Sequence, residues 1–330
     1  MYKTAVIGFG GIGKWHAAMQ RDTKAMEVVA LCDINPDLQA WAAANFPNAH
    51  FYASPAAMFA HETLDLVSIA TPHNVHAPLA VEALSHGVNV VVEKPMATRH
   101  EDACAMVEAA RKHNRFVTVF HNRRLDPWFL AARKAIDAGL LGRLIEVNIA
   151  VNFGPGPNTW RGFGETSGGL QFDWGAHLVD YALHFVGDEV RAVAGFAWRS
   201  PGKPADQVDD HAVAHLYFKN GAVAHITSRG KAFTDPQRYH IVGDQGTLVD
   251  SWRWDDAGAV KVFTRAGGFA AEVAVPYVKS QPQAYYDNIA AHLRDGTPLL
   301  VSGESAARVI RLLCAASRSA ANGSIPEPLS

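Results

Sequence analysis

The chain has 330 residues, 48% of them hydrophobic, and a formal net charge of -2. That balance lacks the basic footprint of a nucleic-acid or anionic-membrane binder, and the length predicts about two domains, with a core that needs no covalent staples. Cys32, Cys104 and Cys314 stand far apart with no C-x-x-C pair, Lys3 leads into a strand rather than a secretory signal, and the apolar runs are too short or too interrupted to span a bilayer; a reduced, cytoplasmic setting is expected.

Thr4-Ala5-Val6-Ile7 reads as a short buried strand, followed at once by Gly8-Phe9-Gly10-Gly11-Ile12-Gly13 and a helical pattern from Lys14. G-x-G-x-x-G between a strand and a helix is a dinucleotide-binding fingerprint. Gly8 permits the tight turn, Gly10 lets the backbone approach a pyrophosphate, and Gly13 lets helix and strand pack closely. The helix N-terminus offers free N–H groups to the phosphates. His16, one turn into that helix, reads as structural. The next strand, 28–32, ends at Asp33. That lies about 20 residues past the glycines, where a carboxylate accepts from the ribose hydroxyls and repels a 2′-phosphate. Ile34 and Asn35 follow without a cation, so NAD is expected over NADP. Asp33 would also serve to cap a helix starting near Pro36.

Strand and helix then alternate. A helix is expected over 36–45, with Leu38, Trp41 and Ala42 on one face, then a strand at 66–70 and a helix at 78–85 ending at Gly87. A strand at 88–92, a helix at 99–113 and a strand at 116–120 follow. Continuous apolar strands separated by helices predict a parallel sheet covered on both faces, a doubly wound α/β Rossmann domain over 1–121. Ligands of such sheets bind outside the carboxyl ends of the strands. That singles out Asp33, Thr71-Pro72-His73, Glu93-Lys94-Pro95 and His121-Asn122-Arg123.

From 122 onward the pattern changes. Expected are a helix at 127–138, a strand at 144–152, a loop rich in glycine and proline at 153–169, and a helix at 174–185. Strands at 191–198, 212–219, 222–228, 238–242 and 247–252 come without intervening helices, and helices near 283–293 and 304–320 close the chain. This reads as an α+β domain over 122–330 with an antiparallel sheet. Asn220-Gly221 is a hairpin turn. As a two-residue turn it sets Leu216 opposite His225 and His215 opposite Ile226, so the two histidines point to opposite faces and share no metal.

Two places carry chemistry. Lys94 is a cationic donor at the carboxyl end of a parallel strand. On one helix, Asp173, His177, Asp180 and His184 would form a stripe, spaced four, three and four apart. That stripe admits acid–base catalysis by His177, a carboxylate–imidazole metal site, or a solvated face of ion pairs. His73 and His76 either contact cofactor or cap the helix near Pro78.

The glycine loop, Asp33, Thr71-Pro72-His73-Asn74-Val75-His76, Glu93-Lys94-Pro95, His121-Asn122-Arg123-Arg124 and Asp173-x-Gly175-x-His177-x-x-Asp180 occur in the order found in the Gfo/Idh/MocA oxidoreductases, and the resemblance covers essentially the whole chain. It implies a Rossmann domain followed by a domain with a large, mostly antiparallel sheet, whose open face builds a homodimer or homotetramer. It implies that Lys94 holds and polarises the reacting oxygen, that His177 takes or returns the hydroxyl proton, and that Asp173 binds substrate and orients the catalytic groups. Gly8, Phe9, Gly10, Gly11, Ile12, Gly13, Asp33, Thr71, Pro72, His73, His76, Glu93 and Lys94 are the expected NAD contacts. No metal is required, and Asp180 and His184 become supporting residues. The substrate implied is a sugar or cyclic polyol, oxidised at a secondary hydroxyl. Alternatives are a non-catalytic NAD-binding sensor and a same-fold reductase of another carbonyl or imine. The segment from His121 to Asp126 and Trp160-Arg161 resemble scyllo-inositol dehydrogenases, which often use NADP; Asp33 leaves the expectation on NAD. His121, Arg123, Asn152, Trp160, Arg161 and Tyr239 are expected to line the pocket.

Overall fold

Six parallel strands, β1 (Tyr2–Ile7), β2 (Met26–Cys32), β3 (His50–Tyr52), β4 (Leu66–Ile69), β5 (Asn89–Val92) and β6 (Val117–Val119), lie in the order β3-β2-β1-β4-β5-β6. This is a computed structural model describing residues 1–154, 159–251 and 258–329. Helices α1 (Gly11–Asp22), α2 (Leu38–Asn45), α3 (Pro55–His61), α4 (His76–Ser85) and α5 (His100–Lys112) connect the strands. The strand order reverses between β1 and β4, the position at which doubly wound sheets bind nucleotides. The central strands are fully buried: Val6, Val67, Val90 and Val91 are each 0% exposed. Each such side chain contributes roughly 1.5–3 kcal/mol by leaving water.

The second sheet is large and mostly antiparallel. It contains β7 (Leu144–Asn152), β8 (Val190–Trp198), β9 (His211–Phe218), β10 (Val223–Arg229), β11 (Gln237–Gly243), β12 (Gly246–Ser251), β13 (Ala259–Ala266), β14 (Phe269–Pro276) and the short β15 (Glu327–Pro328). Its order is β14-β13-β12-β11-β7-β10-β9-β8-β15, and among the described residues only β7 and β10 of this sheet pair in parallel. Between β6 and β8 lie α6 (Pro127–Asp137), two single-turn helices α7 (Gly164–Ser167) and α8 (Leu170–Asp173), and α9 (Gly175–Val186). One face, carrying Val147, Ile149, Leu216, Ala224, Ile226 and Ile241, is buried. The other carries half-buried His215, His225, Asn148 and His240, which register with one another across four strands. Trp252, the last residue of the strand expected at 247–252, lies outside the described residues, as do 155–158 of the expected loop.

The hairpin register corrects one expectation. Phe218 N donates to Ala222 O, so the loop is Lys219-Asn220-Gly221, three residues rather than two. Gly221 takes φ +91, the left-handed position of a three-residue hairpin. One extra loop residue flips the register. His215 and His225 therefore stand directly opposite on one face, with Nδ1 atoms 2.6 Å apart. Among the described residues no cluster of three or more His, Cys, Asp or Glu is arranged to hold a metal ion.

Two helices close the chain, α10 (Ala284–Asp295) and α11 (Gly303–Ala321). The chain forms two units, Met1–His121 with Gln283–Ile310, and Asn122–Pro282 with Arg311–Ser330. This differs from the expectation that 122–330 is one continuous domain. The reason is side-chain chemistry on the returning segment. The Tyr285 hydroxyl lies 3.0 Å from Thr118 Oγ1, Thr118 also donates to Val301 O at 2.7 Å, and the Tyr285 ring packs edge-on against Phe120. Among the described residues no helix is long and apolar enough to cross a membrane.

Candidate active site

In the first unit the candidate residues gather at the carboxyl ends of the strands. Gly8 has φ +85, and a Cβ there would meet Ala70 O at 2.6 Å. A Cβ on Gly13 would meet Gly8 O at 1.9 Å, so α1 packs this closely on β1 only with glycine. Above Gly10 and Gly11 a Cβ would meet nothing within 4 Å. No side chain caps the N-terminus of α1 and no acid occupies its first turn. An open, uncapped, glycine-lined helix N-terminus fits a pyrophosphate. Phe9 works inward: its ring is buried against Trp41 and Phe46, and its amide donates to Asp33 Oδ2 at 2.6 Å. Asp33 Oδ1 accepts from Asn35 N at 2.8 Å. Because α2 begins at Leu38, Asp33 caps no helix; it stays half-buried at the tip of β2 beside the glycine loop. Ile12 is largely exposed on α1.

Thr71 and Pro72 follow β4, and His73, buried, opens a single 3₁₀ turn (His73–Val75). His76 is fully buried at the start of α4, its ring nitrogens 2.9 Å from Pro95 O and 3.0 Å from Thr71 O. It ties the loop after β4 to the loop after β5. Glu93 and Lys94 stand at the end of β5, and Glu93 Oε2 accepts from Lys94 N at 2.9 Å. His121, 2% exposed, follows β6.

In the second unit Asp173 and His177 do not share one helix. Asp173 ends α8, the ladder breaks at Trp174, and α9 starts at Gly175, with His177 N bonded to Trp174 O at 2.9 Å. Nor is the stripe solvated. Asp173, His177 and Asp180 are 4%, 3% and 2% exposed. Asp180 tolerates burial because Arg124 meets it with two charge-assisted bonds of 2.6 and 2.8 Å. His184 alone of the four is substantially exposed. Around Asp173 the chain brings Arg161, whose Nε is 3.5 Å from Oδ2 and whose guanidinium covers the Trp160 ring at 4.3 Å. Arg123 lies 4.5 Å over Trp174, whose ring in turn stands edge-on to His177 at 5.8 Å. Arg123, Trp160, Arg161, Asp173 and His177 thus gather with Trp174. Trp174 was not singled out by spacing, though it sits inside the motif that was.

Two pocket candidates are placed elsewhere. Tyr239 is fully buried, edge-on to Tyr181 and Phe185 in the core under α9, where burial pushes its phenol well above the ordinary value. Asn152 ends β7 and gives its amide to Thr234 O at 2.6 Å, holding a loop.

The fold and the open glycine cradle define a nucleotide-binding Rossmann protein. The chain belongs to the Gfo/Idh/MocA oxidoreductase family: residues 2–121 match that family's NAD-binding Rossmann model and residues 129–249 its C-terminal domain model. It is 30% identical over 251 residues to the uncharacterized oxidoreductase YrbE of Bacillus subtilis, covering 74% of this chain and 72% of that one. It is 27% identical over 299 residues to the scyllo-inositol 2-dehydrogenase (NADP(+)) IolW of Bacillus subtilis, covering 83% and 82%. Among solved structures, the WlbA dehydrogenase of Bordetella pertussis, in complex with NADH and UDP-GlcNAcA, superposes with a TM-score of 0.82 at 27% identity, covering 100% of this chain and 99% of that one. The first unit is accordingly an NAD-binding domain, and the protein an oxidoreductase.

Proposed function

We propose that this oxidoreductase is an NAD-dependent dehydrogenase that oxidises a secondary hydroxyl of a sugar or inositol-like cyclic polyol to a ketone or lactone. The observation that supports this most is the burial of His177 and Asp173 with Arg161 and Trp174, in a chain whose first unit carries Lys94 at the end of β5 and an open glycine cradle after β1. The relatives IolW, a scyllo-inositol 2-dehydrogenase, and WlbA, a dehydrogenase in complex with a sugar nucleotide, support the same substrate class.

His177 removes the hydroxyl proton, the general-base work that imidazole most often performs. Lys94 stabilises the alkoxide as its charge develops. Asp173, oriented by Arg161, accepts from a substrate hydroxyl. The backbone of Gly8–Gly13 and the α1 N-terminus hold the pyrophosphate, and Asp33 takes the adenosine ribose and disfavours a 2′-phosphate, so NAD is preferred to NADP. Bound NAD supplies the hydride acceptor. His121 and Arg123 stay assigned to substrate, with Trp160; Tyr239 and Asn152 act by packing and loop support. A homodimer or homotetramer built through the open face of the second sheet belongs to this reading, as does a cytoplasmic location, which three cysteines standing far apart in the sequence support.

The test is NAD reduction by purified protein across inositols and aldoses. Turnover of at least one supports the reading. Tight NAD binding with no turnover across the panel replaces it with a cofactor-binding sensor.

A further inference from the structure

We propose that His16 is a positioning residue that sets the main chain at Lys94 through Glu93, with Tyr286 of the returning segment behind it. The inference rests on the role given to Lys94 above. Glu93 has both carboxylate oxygens engaged by the chain: Oε2 accepts from Lys94 N at 2.9 Å, and Oε1 lies 3.0 Å from Nε2 of His16. Its carboxylate is thus directed at the Lys94 main chain rather than at a ligand. Behind it, His16 Nδ1 lies 2.5 Å from the Tyr286 hydroxyl, which lies 2.8 Å from Ser68 Oγ; Gln20 Nε2 donates to Ser68 Oγ at 2.8 Å.

One arrangement of hydrogens satisfies every member of this run. Gln20 gives a hydrogen to Ser68, Ser68 gives its own to the Tyr286 oxygen, and Tyr286 gives its own to His16 Nδ1. Only Nε2–H of His16 then remains to donate to Glu93. His16, Gln20, Ser68 and Tyr286 are each 0% exposed, so no bulk water competes for these bonds. Burial alone pushes the Glu93 carboxyl up, but the hydrogen bond from His16, the nearby Lys94 charge and the bond from Lys94 N hold it below its ordinary value. The result is a mostly buried carboxylate, its side chain 13% exposed, gripping the Lys94 amide. A misplacement of about 1 Å at a reacting group is enough to cost about 10²-fold in rate.

Two substitutions separate this role from simple packing. In His16→Gln the amide nitrogen reaches the Nε2 position and keeps the donor to Glu93. In His16→Asn the shorter amide keeps only the contact with Tyr286. Lys94 amide hydrogen exchange, measured by NMR on the NAD-bound protein, should quicken at least about tenfold in His16→Asn and stay near wild type in His16→Gln. Where a substrate is turned over, kcat should fall about 10- to 100-fold in His16→Asn, with the NAD Kd and substrate KM within about threefold, and recover in His16→Gln. Unchanged Lys94 exchange in a folded His16→Asn, or equal effects in both variants, overturns the proposal. Quickened exchange with an unchanged kcat supports the positioning and removes Lys94 from the reaction instead.

Discussion

At the scale of single residues, Asp33 bears on two partners at once. One oxygen fixes the glycine loop through Phe9 N, and the carboxylate remains half-buried at the tip of β2. Asp33→Ala therefore removes an anion and loosens the cradle together. NAD affinity should fall about tenfold or more, and the ratio of NADP to NAD affinity should rise. Titration of both cofactors against wild type and variant checks this, and an unchanged ratio would place selectivity elsewhere. Asp33 was legible in the sequence because a strand and a fixed glycine spacing place it. The partners of Glu93 were not. His16 is 77 residues from Glu93, and Tyr286 is 270 residues from His16. No local pattern links them.

At the scale of elements, spacing read well and register did not. The hairpin between β9 and β10 was legible as a hairpin, yet the choice between two and three loop residues reversed the faces of His215 and His225. The break at Trp174 was hidden because α8 and α9 abut with one residue between them. By contrast, β13 and β14 carry an alternating pattern around Gly267-Gly268, and α3 carries Ser54 before Pro55, where the serine hydroxyl accepts from Ala57 N. Both signals stand in the sequence itself. The Arg124–Asp180 pair anchors the segment after β6 to α9, with side chains 11% and 3% exposed. Removing one member leaves the other charge buried, so Arg124→Ala or Asp180→Ala should each cost about 3–5 kcal/mol in denaturant unfolding. The double variant should cost less than the two singles combined, and full additivity would mean that the pair is not coupled. Asp210 offers a pH test. Burial opposes its charge, but Lys203 at 2.8 Å and bonds from Ser200 hold its carboxyl far below the ordinary range. A depressed folded-state value stabilises above the unfolded value of about 4, and that share is lost as pH falls below it. Asp210→Asn should therefore flatten the loss of stability below pH of about 4; an unchanged slope would mean that the carboxylate adds nothing.

At the scale of the whole molecule, the Rossmann pattern, the NAD-binding class and the second, mostly antiparallel sheet were all legible from periodicity and motif order. The return of Gln283–Ile310 to the first unit was not, since it depends on which surface Tyr285 and Tyr286 find to bury. The open face of the second sheet carries Phe196, Trp198 and Phe263, each about half exposed. If that face joins copies of the chain, Phe196→Glu should shift the mass measured by light scattering toward the monomer, and an unchanged assembly would place the contact elsewhere. Lys94 and His177 are proposed to do the charge and proton work of a single alcohol oxidation. The most direct measurement is steady-state turnover of Lys94→Ala and His177→Ala on a substrate found by the panel, with NAD affinity measured in parallel. Each kcat should fall by about 10² or more while NAD binding stays within a few-fold. Turnover near wild type in both variants would contradict the account.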